Sequence, residues 1–165
     1  MSQDETTVLL QHHLKALKLP TILREHEAMA RLCAKERSSY NDFLLKLTER
    51  ELMDREQRAA DRRLRDAKFP VLKTLDSFDF AAQPSINEAA VRELMRGVYL
   101  LGRENILLVG NPGTGKTHLA TALGHAACMQ GNRVRFFSVT GLVTQLLEQR
   151  EERTLQRLHR QLERN

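Results

Sequence analysis

The chain has 165 residues and a formal net charge of +5, which is long enough for one domain, or for one small domain with part of another. Its content of 41% hydrophobic and 28% charged residues is typical of a soluble globular protein. No apolar run reaches about 18 residues, which excludes a membrane-spanning helix, and the positive charge permits a polyanionic partner without requiring one.

The first 68 residues are predicted to be helical throughout. An apolar stripe marks a first helix that ends at Pro20, and Thr21 is placed to cap a second one. A third helix begins at Ser39, where Asp42 completes an acidic version of the capping box. The second half of this helix is mostly charged, so we expect it to be solvated or to contact another molecule.

Residues 69–84 are predicted to form a non-helical linker between Pro70 and Pro84. The segment is too apolar for a disordered spacer, so we expect it to pack on the following domain. Its large apolar residues are Phe69, Leu72, Leu75, Phe78 and Phe80. A helix should follow, with Ser85 and Glu88 as its capping box and Gly102 at its end.

The pattern then changes to alternating strands and helices. The runs "NILLVG" and "RVRFFSV" are predicted strands, and "GKTHLATALGHAACMQG" and the stretch from Thr140 onward are predicted helices. A strand–helix–strand–helix order predicts a parallel α/β fold. We therefore divide the chain into a helical domain (residues 1–68), the linker (69–84) and an α/β domain (85–165).

The segment between the first strand and its helix matches the Walker A pattern at every fixed position. Glycines let successive backbone N–H groups turn towards a triphosphate, and the helix N terminus adds positive potential. Lys116 should reach the β- and γ-phosphates, and Thr117 should place its hydroxyl on Mg²⁺. For the neighbouring His118, packing is favoured over catalysis. The predicted nucleotide-binding residues are Gly110, Asn111, Pro112, Gly113, Thr114, Gly115, Lys116 and Thr117, with ATP and Mg²⁺ as the cofactors.

Hydrolysis would also require an acidic residue at the end of an apolar strand, to hold Mg²⁺ and orient the attacking water. The acids that follow the loop lie in a charged helical stretch; they are Glu148, Glu151, Glu152 and Glu163. We therefore assign no catalytic residue and expect no Walker B strand, sensor residue or arginine finger in this sequence. The two cysteines, Cys33 and Cys128, are predicted to be core residues in a reducing compartment. Because the acidic N terminus lacks the features of a signal peptide, we expect a cytoplasmic protein.

The run from Phe69 to Leu147 closely resembles the IstB-like ATP-binding proteins, and the similarity extends over nearly the whole chain. These are helper ATPases of transposition, similar to bacterial helicase loaders of the AAA+ class. The resemblance implies a P-loop ATPase of AAA+ type, here partial, with an N-terminal helical domain that binds DNA or a protein partner. It also implies self-association on DNA, a transposase as partner, and an adenine site near the linker around Phe78 and Phe80 and the helix from Ser85.

Family members continue through a Walker B strand, a sensor strand and a helical lid, so this sequence resembles a truncated member. In AAA+ folds two later strands lie between the strand before the phosphate loop and the next strand in sequence. The two predicted strands of this chain would therefore pair directly, leave a gap or stay poorly ordered. Unpaired strand backbone costs free energy, so we expect the C-terminal part to be marginally stable.

Basic residues recur every three or four positions in the third helix and share one face; they are Arg55, Arg58, Arg62 and Arg65, with Lys68 nearby. Acids lie among them, and a mixed-charge face is usually only solvated. The resemblance shifts the interpretation towards contact with DNA phosphates.

Three functional readings remain open. The first is a nucleotide-dependent, DNA-binding helper of transposition. The second is a replication protein similar to helicase loaders. The third is a non-catalytic fragment that binds DNA or protein only, which a measurement of nucleotide turnover would separate from the other two.

Overall fold

The computed structural model describes residues 3–148. In chain order it contains α1 (Gln3–Ala16), α2 (Pro20–Glu36), α3 (Tyr40–Ala67), a 3-10 turn (Leu75–Ser77), α4 (Glu88–Met95), α5 (Val98–Leu101), α6 (Lys116–Met129) and α7 (Val139–Glu148). The chain divides into two compact units, Met1–Ala59 and Ala60–Asn165, so the division falls within α3. None of the helices in the described part is long and apolar enough to cross a membrane.

Several helices end through residues with left-handed backbone conformation. Lys18, two residues after the end of α1, and Arg37, directly after α2, have φ angles of 56° and 55°. After α2, the N–H of Ser38 donates to the carbonyl of Cys33 at 2.9 Å, which is the bond of a Schellman motif. This motif satisfies terminal carbonyls but requires a backbone conformation that is uncommon for residues other than glycine.

The start of α3 confirms the predicted capping box. The Ser39 hydroxyl accepts the N–H of Asp42 at 3.1 Å, and the Asp42 carboxylate accepts the N–H of Ser39 at the same distance. The carboxylate also accepts the Ser39 hydroxyl, and these bonds from Ser39 lower the pKa of Asp42. Two helix-terminal donors are thereby satisfied within four residues of sequence.

The predicted cap of α2 was wrong, because Thr21 lies inside the helix and does not cap it through its side chain. The cap is supplied by α3. The buried carboxylate of Glu51 accepts the N–H groups of Thr21 and Ile22 at 2.8 and 3.2 Å. The Thr21 hydroxyl instead donates to Asp54 at 3.0 Å. A residue 30 positions away in sequence therefore satisfies the first donors of α2.

The predicted α/β fold is not confirmed, because no β-strand is formed within residues 3–148. The first predicted strand alternates between half-buried Ile106 and Leu108 and exposed Leu107 and Val109, which are 85% and 93% exposed. A strand is defined by hydrogen bonds to a neighbour, and among the described residues the two segments do not pair with each other. The N–H of Phe136 donates to the Ala67 carbonyl at the end of α3 instead.

The two segments are separated by an open cleft of about 500 Å³. Its floor is α6, which contributes Ala120, Leu123, Gly124 and Ala127. Among the three arrangements expected from the sequence, the described residues show a gap. Ile106 and Leu108 line this gap, whereas Leu107 and Val109 do not line it and are exposed.

The helix predicted from Ser85 to Gly102 is divided into two. Gly97 has a φ angle of 77° and interrupts the helix between α4 and α5. The predicted capping box was also wrong, because the cap residue is Asn87, whose side chain accepts the N–H of Ala90 at 3.1 Å. The predicted stop at Gly102 is confirmed as the C-terminal cap of α5.

The core of the second unit is formed by the linker together with α4 and α6. Phe78, Val91 and Leu119 are buried against one another, and further apolar residues pack around them: Leu75, Phe80, Ile86 and Leu108. Burial of side chains of this size contributes about 1.5–3 kcal/mol each. Through Leu119 the core includes the first turn of α6, which directly follows the Walker A glycines.

Candidate functional site

The glycines of the Walker A segment provide the backbone conformations that the loop needs. Gly113 and Gly115 have φ angles of 80° and 83°, which side-chain-bearing residues rarely adopt. A Cβ atom on Gly113 would meet no atom within 4 Å. The backbone there is open to an approaching ligand. The Thr114 hydroxyl closes the turn by donating to the Asn111 carbonyl at 2.8 Å.

The lysine of the motif lies over its own loop. Lys116 is half-buried as the first residue of α6. Its Nζ donates to the Asn111 carbonyl at 2.5 Å and lies 3.4 Å from the Thr114 hydroxyl. The ammonium group is therefore held at the concave side of the loop, where an anion would bring a stronger acceptor than a neutral carbonyl.

The N terminus of α6 supplies the remaining donors. The first intrahelical bond runs from the N–H of Leu119 to the Gly115 carbonyl at 2.9 Å. The preceding amides of the first turn therefore have no acceptor within the helix, and the helix dipole favours an anion at this end. Thr117 is exposed beside these amides, and its carbonyl accepts the Thr121 hydroxyl at 2.7 Å.

This donor set fits a magnesium nucleotide. Backbone amides and an ammonium group suit phosphate oxygens, and an exposed threonine hydroxyl suits Mg²⁺, which takes few ligands from the protein and several from phosphate and water. Within residues 3–148 no cluster of three His, Cys, Asp or Glu side chains could hold a metal. The side chain of Glu148 and all of Glu151, Glu152 and Glu163 lie outside the described residues.

The loop rests on two residues outside the predicted nucleotide-binding set 110–117, one of them Phe78, near which the resemblance implies the adenine. Phe78 is buried beneath Gly115, where a Cβ atom would lie only 2.6 Å from its ring. The next residue of the helix after Thr117 also contacts the linker. His118 Nε2 lies 2.9 Å from the Thr74 carbonyl and 3.2 Å from the Ser77 hydroxyl. This is a packing role for His118, as the sequence favours.

Comparison of the whole chain with known proteins identifies its family. The family model described as IstB-like ATP binding protein matches residues 12–165. The chain belongs to the IstB-like ATP-binding protein family. An insertion sequence IS5376 protein of Geobacillus stearothermophilus, whose name describes it as ATP-binding, is 36% identical over 148 residues. The corresponding IS21 protein of Pseudomonas aeruginosa is 38% identical over 149 residues, and an insertion-sequence ATP-binding protein of Sinorhizobium fredii is 40% identical over 144 residues.

These alignments cover most of this IstB-like chain but only part of its relatives. The alignments with the Geobacillus, Pseudomonas and Sinorhizobium proteins include 90%, 90% and 87% of this chain. They include 59%, 56% and 48% of those three relatives, in the same order. The chain thus spans about half to three fifths of the length of the curated relatives it matches.

The basic face predicted on α3 of this IstB-like chain has two kinds of arginine. Arg55 and Arg58 contact the buried Glu51 carboxylate at 3.6 and 3.0 Å. Arg55 also donates to the Lys18 carbonyl, and Arg58 to the Asp54 carbonyl. Arg62, Arg65 and Lys68 are exposed. Within residues 3–148, none of these three side chains makes a hydrogen bond or ion pair.

Glu51 keeps its charge although it is buried. Burial alone would raise its pKa, but the N–H groups of Ile22 and Thr21 and the Arg58 guanidinium together lower the pKa below its ordinary value. A carboxylate with three such partners is stable as an anion. Sequence reasoning missed this residue because the two amides that it accepts lie on another helix, about 30 residues away.

Proposed function

We propose that this chain is a cytoplasmic ATP-binding helper of DNA transposition. It binds ATP and Mg²⁺ through residues 110–117, contacts DNA through the basic part of α3, associates with further copies of itself on DNA, and assists the transposase of its insertion sequence. The observation that carries the proposal is the phosphate loop, with two left-handed glycines, a lysine held over the loop and a helix N terminus behind it.

The nucleotide part of the proposal follows from the chemistry of the loop. In ATP binding, the amides at the start of α6 donate to phosphate oxygens, and the Lys116 ammonium exchanges the Asn111 carbonyl for the β- and γ-phosphates. The Thr117 hydroxyl becomes a ligand of Mg²⁺. The names of the relatives support ATP as the nucleotide and an insertion sequence as the genetic context.

Titration with a fluorescent ATP analogue, with and without Mg²⁺, tests this part. Lys116→Ala removes the ammonium group that lies at the loop, and a charge-assisted hydrogen bond contributes roughly 1.5–3 kcal/mol, so the Kd should rise about 10- to 100-fold. Lys73→Ala, an exposed lysine of the linker, is the matched control and should leave Kd unchanged. Equal binding by the Lys116 variant and the wild type would refute the assignment.

The DNA part of the proposal uses the arginines that make no ion pair with another described residue. Arg62 and Arg65 are exposed, and no carboxylate within residues 3–148 pairs with either of them, whereas Arg58 is paired with Glu51. A salt titration of DNA binding tests this difference. The double variant Arg62→Ala/Arg65→Ala should reduce the slope of log K against log salt by roughly one for each DNA phosphate that the variant no longer neutralises. An unchanged slope would exclude this part of α3 as the DNA surface.

A further inference from the structure

The linker lies along α6 through two pairs of a phenylalanine and a glycine. The ring of Phe78 lies 2.6 Å from the position that a Cβ atom on Gly115 would take. The ring of Phe69 lies 2.8 Å from the position that a Cβ atom on Gly124 would take. The two phenylalanines are as far apart in sequence as the two glycines. The earlier phenylalanine meets the later glycine, so linker and helix run in opposite directions.

A polar contact lies between these two ring contacts. The Thr74 carbonyl can only accept hydrogen bonds, and it accepts from both the Ser77 hydroxyl at 2.9 Å and His118 Nε2 at 2.9 Å. His118 Nε2 therefore carries a hydrogen and is the donor to this carbonyl. The His118 ring also packs edge-on against Phe78, with the ring centroids 5.1 Å apart.

These contacts act on the first turn of α6, which also carries the phosphate-binding groups. His118 directly follows Thr117, and Gly115 directly precedes Lys116. A displacement of the linker would therefore change the positions of the amides that face a phosphate. Sites for anions depend on such placement, because donors that are a few tenths of an ångström out of place bind less well.

We propose that the contact between residues 74–78 and the start of α6, with His118 and Phe78 at its centre, positions the phosphate loop for nucleotide binding. His118 and Phe78 are positioning residues that do not touch the nucleotide. The inference rests on the nucleotide-binding function proposed above. The coupling is reciprocal: a bound nucleotide fixes the first turn of α6 and in turn holds residues 74–78 in place.

The test measures nucleotide affinity and hydrogen exchange of the linker in the same set of full-length variants. His118→Ala removes the donor to Thr74, whereas His118→Gln can restore it through the side-chain amide. His125→Ala, at another half-buried histidine of α6, is the matched control. Each variant is titrated with a fluorescent ATP analogue and Mg²⁺, and exchange at residues 74–78 is followed with and without ATP.

We expect His118→Ala to raise the Kd for the ATP analogue roughly three- to tenfold, the equivalent of one net hydrogen bond. The glutamine variant should recover most of this loss, and the His125 control should match the wild type. In the wild type, ATP should slow exchange at residues 74–78, and in His118→Ala it should not. Thermal unfolding of each variant shows whether that variant is still folded under the conditions of the titration. A variant that unfolds at the wild-type temperature but loses the ATP-induced protection has lost the coupling and not the fold.

Two results would overturn the inference. One is a wild type that binds the analogue while His118→Ala binds it equally well. The other is a wild type that binds ATP with no change in exchange at residues 74–78. Failure of the proposed function gives a different result, namely that the wild type itself binds no nucleotide, and the inference would then fall with it.

Discussion

Replacing Glu51 tests how the first unit is held together. Its carboxylate accepts two amides at the start of α2 and contacts Arg58 at 3.0 Å. Glu51→Ala would leave the N–H of buried Thr21 and the N–H of Ile22 without an acceptor. Glu51→Gln keeps a carbonyl oxygen for these amides but turns a neutral NH₂ group, itself a donor, towards the arginine.

The size of the loss follows from these contacts. Each amide left without a partner costs about 1–3 kcal/mol when it is buried, and loss of a helix cap costs about 0.5–2 kcal/mol. Since Ile22 is only partly buried, we take the lower part of these ranges and expect about 2–4 kcal/mol for Glu51→Ala. The glutamine variant should cost about 1 kcal/mol, because Arg58 is 45% exposed and water replaces part of its ion pair.

Hydrogen exchange measures this loss of stability at individual amides. A local measurement is needed because a chain with two compact units need not unfold in one step. For Glu51→Ala, exchange at the amides of Thr21 and Ile22 should accelerate roughly 30- to 1,000-fold, with little change in α6. Glu56→Gln, at an exposed position of the same helix, is the control. Unchanged exchange at these two amides in Glu51→Ala would show that the carboxylate does not stabilise α2 and would refute the reasoning.

The difference in stability between the wild type and Glu51→Gln should depend on pH in a defined direction. The folded pKa of Glu51 lies below the ordinary value of 4.5, so its stabilisation is complete above about pH 4.5 and is lost as the pH falls through the folded pKa. The stability difference between the wild type and Glu51→Gln should therefore be constant near neutral pH and decrease on acidification. A difference that grows below pH 4.5 would contradict the lowered pKa.

Three further predictions concern the second unit. Gly124→Ala should cost about 1–3 kcal/mol in chemical unfolding, because the added Cβ atom would lie 2.8 Å from the Phe69 ring. Leu119→Ala, at a buried position, should cost about 2–5 kcal/mol, and Leu107→Ala, 85% exposed, should cost less than about 0.5 kcal/mol. Cys128 is fully buried, and burial raises the pKa of its thiol, so a thiol reagent should label it only after unfolding.

The local conformation of the Walker A segment could be predicted from the sequence because its determinants are local. Gly113 and Gly115 set the turn through their own backbone freedom, and Lys116 follows at a fixed spacing on a helix that begins there. The capping box of Ser39 and Asp42 was predicted for the same reason, since both partners lie within four residues.

The parts that the sequence did not reveal depend on partners far along the chain. The cap of α2 comes from Glu51 and not from Thr21, and no pattern within α2 indicates it. An apolar run such as residues 105–109 indicates a strand only if another strand pairs with it. Within residues 3–148 the backbone of this run pairs with no other strand, and no described residue covers Leu107, which is 85% exposed.

Two contacts made by arginines of α3 change how the basic face of this helix is interpreted. Arg58 bonds the Glu51 carboxylate, so a DNA phosphate at that point would compete with a buried anion that is already satisfied. Arg63, one position beyond Arg62, donates to the Cys128 carbonyl at 2.7 Å and thereby holds the C terminus of α6. Arginines of one helix thus differ in availability although their spacing is regular. A test of DNA binding on this helix is therefore sharper with Arg62 and Arg65 than with all its arginines together, because replacing Arg58 or Arg63 would also remove contacts that hold the fold.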